Sequence, residues 1–183
     1  MTAPDSTTTR RPIPLDDLTP AKLWSALDPP VRALAARALY RHDWGETDTR
    51  READAAVAQA LRFRDAMVKK LSLDQRADYL VKAVRATESL AGSLLLALHL
   101  VHRRPMLAAF LDALGIPHEG GLISKDHELT APEPKTLAAA TARLFAEFPD
   151  SEVEVYLATL VAMDPDSWAG LAGTLKSRPR PNA

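Results

Sequence analysis

The chain is 183 residues long, 46% hydrophobic and 26% charged, with a formal net charge of −1. That length suits one domain with a continuous core, and the composition excludes a disordered chain. Cysteine is absent, which excludes a disulfide framework, a thiolate metal site and a cysteine nucleophile, and fits a reducing, cytoplasmic compartment.

Residues 1–14 are rich in Thr, Pro and Arg, with no apolar stretch and an early Asp5. They are not a secretory signal and read as a disordered N-terminal segment. Residues 15–176 read as a single helical domain, and 177–183 as a disordered Pro- and Arg-containing tail. Aromatics are only 5% of the chain. The core must therefore come mostly from Leu, Ala and Val, the first two of them strong helix formers.

Thr19-Pro20 predicts a cap followed by proline in the first turn, opening a short helix through Leu27. Asp28-Pro29-Pro30 stops that helix and starts another, whose apolar positions are Val31, Leu34, Ala35, Ala38 and Leu39. Gly45 closes it. Thr49 and Glu52 have the spacing of a capping box. They predict a long helix to about residue 71, with Ala53, Val57, Ala60, Leu61, Met67, Val68 and Leu71 along its buried stripe. Ser72 and Gln75 form a second such pattern, before a helix to about residue 85 that buries Tyr79, Leu80, Ala83 and Val84.

Residues 88–104 are apolar nearly all round, which predicts a central helix. Their most apolar run, 90–101, is interrupted by Gly92, Ser93 and His99 and is too short for a membrane span of about 20 residues. No membrane contact is expected. Pro105 restarts the chain as an amphipathic helix ended by Gly115. Residues 115–134 are a long irregular loop with Leu122-Ile123 as an apolar plug, and loops of that length are often functional. Three helices follow: residues 134–148, then one opened by a Ser151/Glu154 capping box, then a short one around Trp168 and Leu171. The fold class is all-α with about eight helices and no convincing strand. An irregular multi-helix bundle or a short stack of helix pairs is expected.

Four of five histidines fall between residues 99 and 127. His99, His102, Arg103, Arg104, His118, Glu119, His127 and Glu128 are the candidate site residues. Imidazoles and carboxylates are the right ligands for zinc or iron, but no H-E-x-x-H or Glu-x-x-His spacing is present. The plainer reading makes His99 a hydrogen-bonded core residue and the loop histidines solvated. No nucleophile elbow and no phosphate loop exist, and Ser124 is the one serine near the histidines. No cofactor is implied. Arg50, Arg51, Arg62, Arg64, Lys69 and Lys70 could face phosphates, yet Glu52, Asp54 and Asp65 interleave with them, so nucleic acid is not the expected partner. Trp44, at a helix end, is the candidate interface anchor.

Residues 1–104 hold 17 bases and 13 acids, and residues 105–183 hold 6 and 11. Such a split can guide a partner or self-association. With no complete catalytic constellation, the sequence favours a non-enzymatic helical module that binds another protein or itself. The alternatives are a His/carboxylate enzyme or metal protein centred on residues 99–128, and a nucleic-acid binder using the 50–70 helix.

Overall fold

The computed structural model describes residue 13 and residues 17–42, 47–124, 126–127 and 129–177. Among these residues the fold is all-α, with ten helices and one small hairpin. The helices are α1 (Pro20–Ala26), α2 (Pro29–Arg41), α3 (Thr47–Leu61), α4 (Asp65–Val68), α5 (Leu73–Ala83), α6 (Glu88–His102) and α7 (Arg104–Leu114). After the hairpin strands β1 (His118–Glu119) and β2 (Leu122–Ile123) come α8 (Pro134–Glu147), α9 (Asp150–Met163) and α10 (Ala169–Ser177).

Several helix ends follow directly from local chemistry. The Thr19 hydroxyl accepts from the Lys22 N–H at the start of α1. Ser72 and Gln75 make both bonds of a capping box at the start of α5. Gly115 adopts φ +69 past the end of α7, and Ile116 N–H reaches back to the Leu111 carbonyl. That closes a Schellman motif, with Leu111 and Ile116 both in the core beneath it.

Other expected ends differ. Thr49 lies inside α3, whose first residue is Thr47, so it cannot cap. Glu52 instead accepts hydrogen bonds from the Thr87 and Ser89 hydroxyls at the start of α6. Ser151 likewise lies within α9, which begins one residue earlier, after Pro149. The long helix expected to residue 71 ends at Leu61, because Arg62 turns left-handed at φ +56.

The core has two parts. The first gathers α1, α2, α3, α5 and most of α6, from Leu23 and Leu39 to Leu90 and Leu94. The second gathers α7, α8 and α10 around Phe110, Leu144, Trp168 and Leu171. Two helices belong to both. α6 gives Leu94 and Leu98 to the first part and Leu100 to the second, and α9 gives Val155 and Ala158 to the first and Tyr156 and Leu157 to the second. α6 is therefore central, with nine buried residues. Gly92 lets α9 and α1 approach, since a Cβ there would lie 3.1 Å from Met163 Sδ and 4.0 Å from Pro20 Cβ.

α6 and α7 meet at 93° across Arg103, and no single helix among the described residues is long and apolar enough to cross a membrane.

Candidate functional site

The residues nominated from the 99–128 region fall into separate groups. His99 is 2% exposed, deep in the α6–α9 contact. The Thr159 hydroxyl donates to the Val155 carbonyl at 2.7 Å, so its one proton is used. His99 Nε2, 2.9 Å away, must then carry a proton and donate to Thr159 Oγ1. Nδ1 is left as a buried acceptor without a partner. Burial, and secondarily the Arg103 guanidinium, hold the ring's pKa well below the ordinary histidine value. The ring packs edge-on against Tyr156, which packs edge-on against Phe110. His99 is thus a neutral core residue at the seam of the two core parts.

One turn on, His102 is exposed, with its pKa lowered by partial burial and by His42 and Arg103. Arg103 is buried and pairs through Nε with Glu152 at 3.5 Å. Arg104 turns the other way, capping the Leu100 carbonyl through Nε at 2.8 Å.

His118 belongs to a hairpin set within the stretch expected to be an irregular loop. Gly120 and Gly121 both have positive φ, +55 and +89, the requirement of a two-residue type I′ turn. Gly121 N–H donates to His118 Nδ1 at 3.2 Å, so Nε2 bears the proton and donates to Asp112 Oδ1 at 3.1 Å. Both ring nitrogens are occupied. The Asp112–His118 pair resembles a catalytic dyad, but the nitrogen that would act as base is taken by the turn. His118 instead clips the hairpin to α7. Of the expected plug, only Ile123 packs on the core, and Leu122 is 43% exposed.

Glu119 is exposed, and His127 is half-buried with its backbone N–H bonded to the Ser124 carbonyl. Glu128 and Trp44 lie outside the described residues. Among the described residues no three His, Asp or Glu side chains gather closely enough to hold a metal ion. A cleft of about 380 Å³ lies between Pro132, Glu133, Leu137, Asp166, Ser167 and Gly170, and none of the eight nominated residues lines it.

A different surface stands out, at the corner between α3 and α5. Phe63 N–H bonds to the Ala58 carbonyl at 2.9 Å and Arg62 N–H to the Gln59 carbonyl at 3.2 Å, a Schellman closure with Arg62 where glycine is usual. One turn of α4 follows, anchored by the fully buried Val68. Arg76 of α5 holds the segment from below. It donates to the Lys69 carbonyl at 2.7 Å, to the Leu71 carbonyl at 3.2 Å and to Asp54 Oδ2 at 3.0 Å. The Tyr40 hydroxyl donates to the other Asp54 oxygen at 3.1 Å. Burial and the Asp54 carboxylate raise the Tyr40 pKa far above its ordinary value, so it stays a donor.

Held this way, the corner presents Phe63, Met67 and Leu73 at 39%, 49% and 43% exposure. Three of the seven exposed large apolar side chains among the described residues thus lie within eleven residues. Arg62, Arg64, Lys69 and Lys70 are exposed beside them, and none makes an ion pair among the described residues. The helical periodicity places Met67 in the core stripe. The break at Arg62 rotates it outward, and the sequence signal was present in Arg62-Phe63-Arg64, an aromatic between two bases where a helix stripe should continue. Arg50 and Arg51 do not join this surface. Arg50 caps the Leu39 and His42 carbonyls at the end of α2, and Arg51 pairs with Asp48.

The chain matches no family model, and comparison with curated proteins and with solved structures gives no match either.

Proposed function

We propose that this chain is a non-enzymatic helical interaction module that docks another protein surface through the α3–α5 corner. The observation that carries this reading is the exposure of Phe63, Met67 and Leu73 beside four bases that make no ion pair among the described residues. Aromatic, Met and Arg side chains are the types enriched at protein interfaces, and clustered exposed apolar groups have a solvation cost that a partner removes. The backbone beneath is fixed by Arg76, so the side chains are presented with little ordering cost on binding.

The rival reading, a His/carboxylate centre in residues 99–128, is disfavoured by the occupied nitrogens of His118 and by the burial of His99. The nucleic-acid reading loses Arg50 to the α2 carbonyls, and exposed Arg51 is offset by Asp48, leaving four bases beside three apolar groups. Salt-graded retention on DNA and RNA tests it.

The test of the proposal is a photo-crosslinking amino acid placed at position 63 or 67, and at the exposed Ser25 as control, in the full chain inside the producing cell. Adducts specific to 63 and 67, identified by mass spectrometry, are expected. The same adducts from Ser25, or none from either corner position, would overturn it.

A further inference from the structure

The geometry points to a second copy of this chain as the occupant of the α3–α5 corner, contacting it through the acidic surface of its β-hairpin. This rests on the docking role proposed for the corner and names what fills it. Residues 62–70 carry Arg62, Arg64, Lys69 and Lys70 against the single acid Asp65. Among the described residues, Asp112, Glu119 and Asp126 are exposed on and beside the hairpin, with the Arg104 guanidinium against the turn at Gly120. The two surfaces are opposite in their prevailing charge.

They also match in apolar character. In the hairpin register Leu122 lies opposite Glu119, so an exposed leucine and a carboxylate share one face of the turn. The Gly120-Gly121 turn stands on α7 with its conformation fixed by the His118 clip. The hairpin exposes Glu119 and Leu122 side by side, and the corner exposes its bases with Phe63, Met67 and Leu73. One packs on the second core part and the other on the first, and both stay exposed in the same chain, so neither satisfies the other internally.

Two different patches close a two-fold dimer where both contacts form at once, and otherwise run head to tail into short chains or a ring. The contact is small beside the roughly 800 Å² per partner of a stable interface, so it is weak and depends on the charges.

Sedimentation velocity of the full chain tests this, from about 10 µM to about 1 mM protein, at about 25 mM and about 500 mM salt, where the screening length differs several-fold. At low salt the weight-average mass should climb with concentration to at least about twice the 19.9 kDa of one chain, and fall back at high salt. The exposed-residue variants Lys69→Glu/Lys70→Glu and Glu119→Lys/Asp126→Lys, with helix content checked by circular dichroism, should each stay monomeric. An equimolar mixture of the two should associate again, because each now complements the other at both patches.

A wild-type chain that stays at one-chain mass throughout overturns the inference, as does a mixture that fails to restore association. Undiminished association in both variants does so too. If the chain is monomeric while the crosslinker at position 63 captures a different protein, the second copy is the wrong occupant and the docking role of the corner stands. If the crosslinker captures nothing there, both fall.

Discussion

Replacing His99 with leucine should remove a defined part of the protein's acid sensitivity. His99 is neutral in the core, with Nδ1 unpartnered and its pKa held well below the ordinary value by burial and by Arg103. Around it, Thr159 and Tyr156 come from α9, and Arg103, which pairs with Glu152, comes from the end of α6. Above pH 6.5 the ring is neutral folded and unfolded, and it contributes no pH dependence. Below pH 6.5 the unfolded chain takes up a proton that the folded core excludes. Stability then falls by about 1.4 kcal/mol per pH unit until the buried ring itself protonates. A ring still neutral at pH 5 has by then cost about 2 kcal/mol, or roughly 4–8 °C in Tm for a chain of this size.

Leucine fills the space and leaves Thr159 satisfied through Val155. At pH 7.5 the substitution exchanges one neutral hydrogen bond, worth about 1 kcal/mol, for relief of the orphaned nitrogen, worth about as much. The variant should therefore match the parent within about 1 kcal/mol there and exceed it by about 2 kcal/mol more at pH 5. Urea unfolding of both proteins at half-unit steps from pH 7.5 to 5 measures the difference, and the carboxylates common to both cancel. Parallel stability curves over that range would refute the neutral, acid-sensitive core histidine.

Five further substitutions test other parts of the structure. Leu94→Ala and Leu98→Ala, both at fully buried positions on α6, should each cost about 2–5 kcal/mol in denaturant unfolding, and an unchanged midpoint would remove α6 from the core. Arg62→Gly should stabilise by up to about 1 kcal/mol, because glycine relieves the left-handed cost at φ +56 but adds chain entropy to the unfolded state; a loss of Tm would show that the Arg62 side chain supports the fold. Gly121→Ala should cost about 2–4 kcal/mol, since its Cβ would sit 2.6 Å from Leu107 Cβ at φ +89. Gly120→Ala, which meets only Arg104 Nη1 at 3.4 Å, should cost about 1–2 kcal/mol, so equal costs for the two glycines would contradict the close seating of the hairpin on α7.

The all-helical class was legible because 3.6-residue periodicity and strong signals such as Thr19-Pro20, Ser72/Gln75 and Gly115 agree with one another. Thr49 and Ser151 show the limit of such signals. A short-range pattern names a possible cap, but packing chose the start of each helix, and Glu52 went to α6 instead. The end of α3 was hidden because arginine stands where the left-handed position normally advertises itself with glycine. That one residue decided whether Met67 was core or surface, and with it where the exposed apolar corner lies. The hairpin was readable in Gly120-Gly121, but two-residue strands leave no alternation to see. Of the nominated residues, His99 follows the plainer reading of a hydrogen-bonded core residue, whereas His118, expected to be solvated, has both ring nitrogens bonded. Their constraint proves to be packing and turn geometry, which spacing alone cannot tell from chemistry.

The most direct measurement pits the corner against the histidines. With the crosslinker at the neighbouring exposed position 73, adduct yield is compared between the parent chain, a Phe63→Ser/Met67→Ser variant and a His102→Ala/His127→Ala variant. The corner variant should lose most of the adduct while keeping its helical spectrum, and the histidine variant should keep all of it. Loss in the histidine variant with the corner variant unaffected would contradict the account and move the functional surface back to residues 99–128.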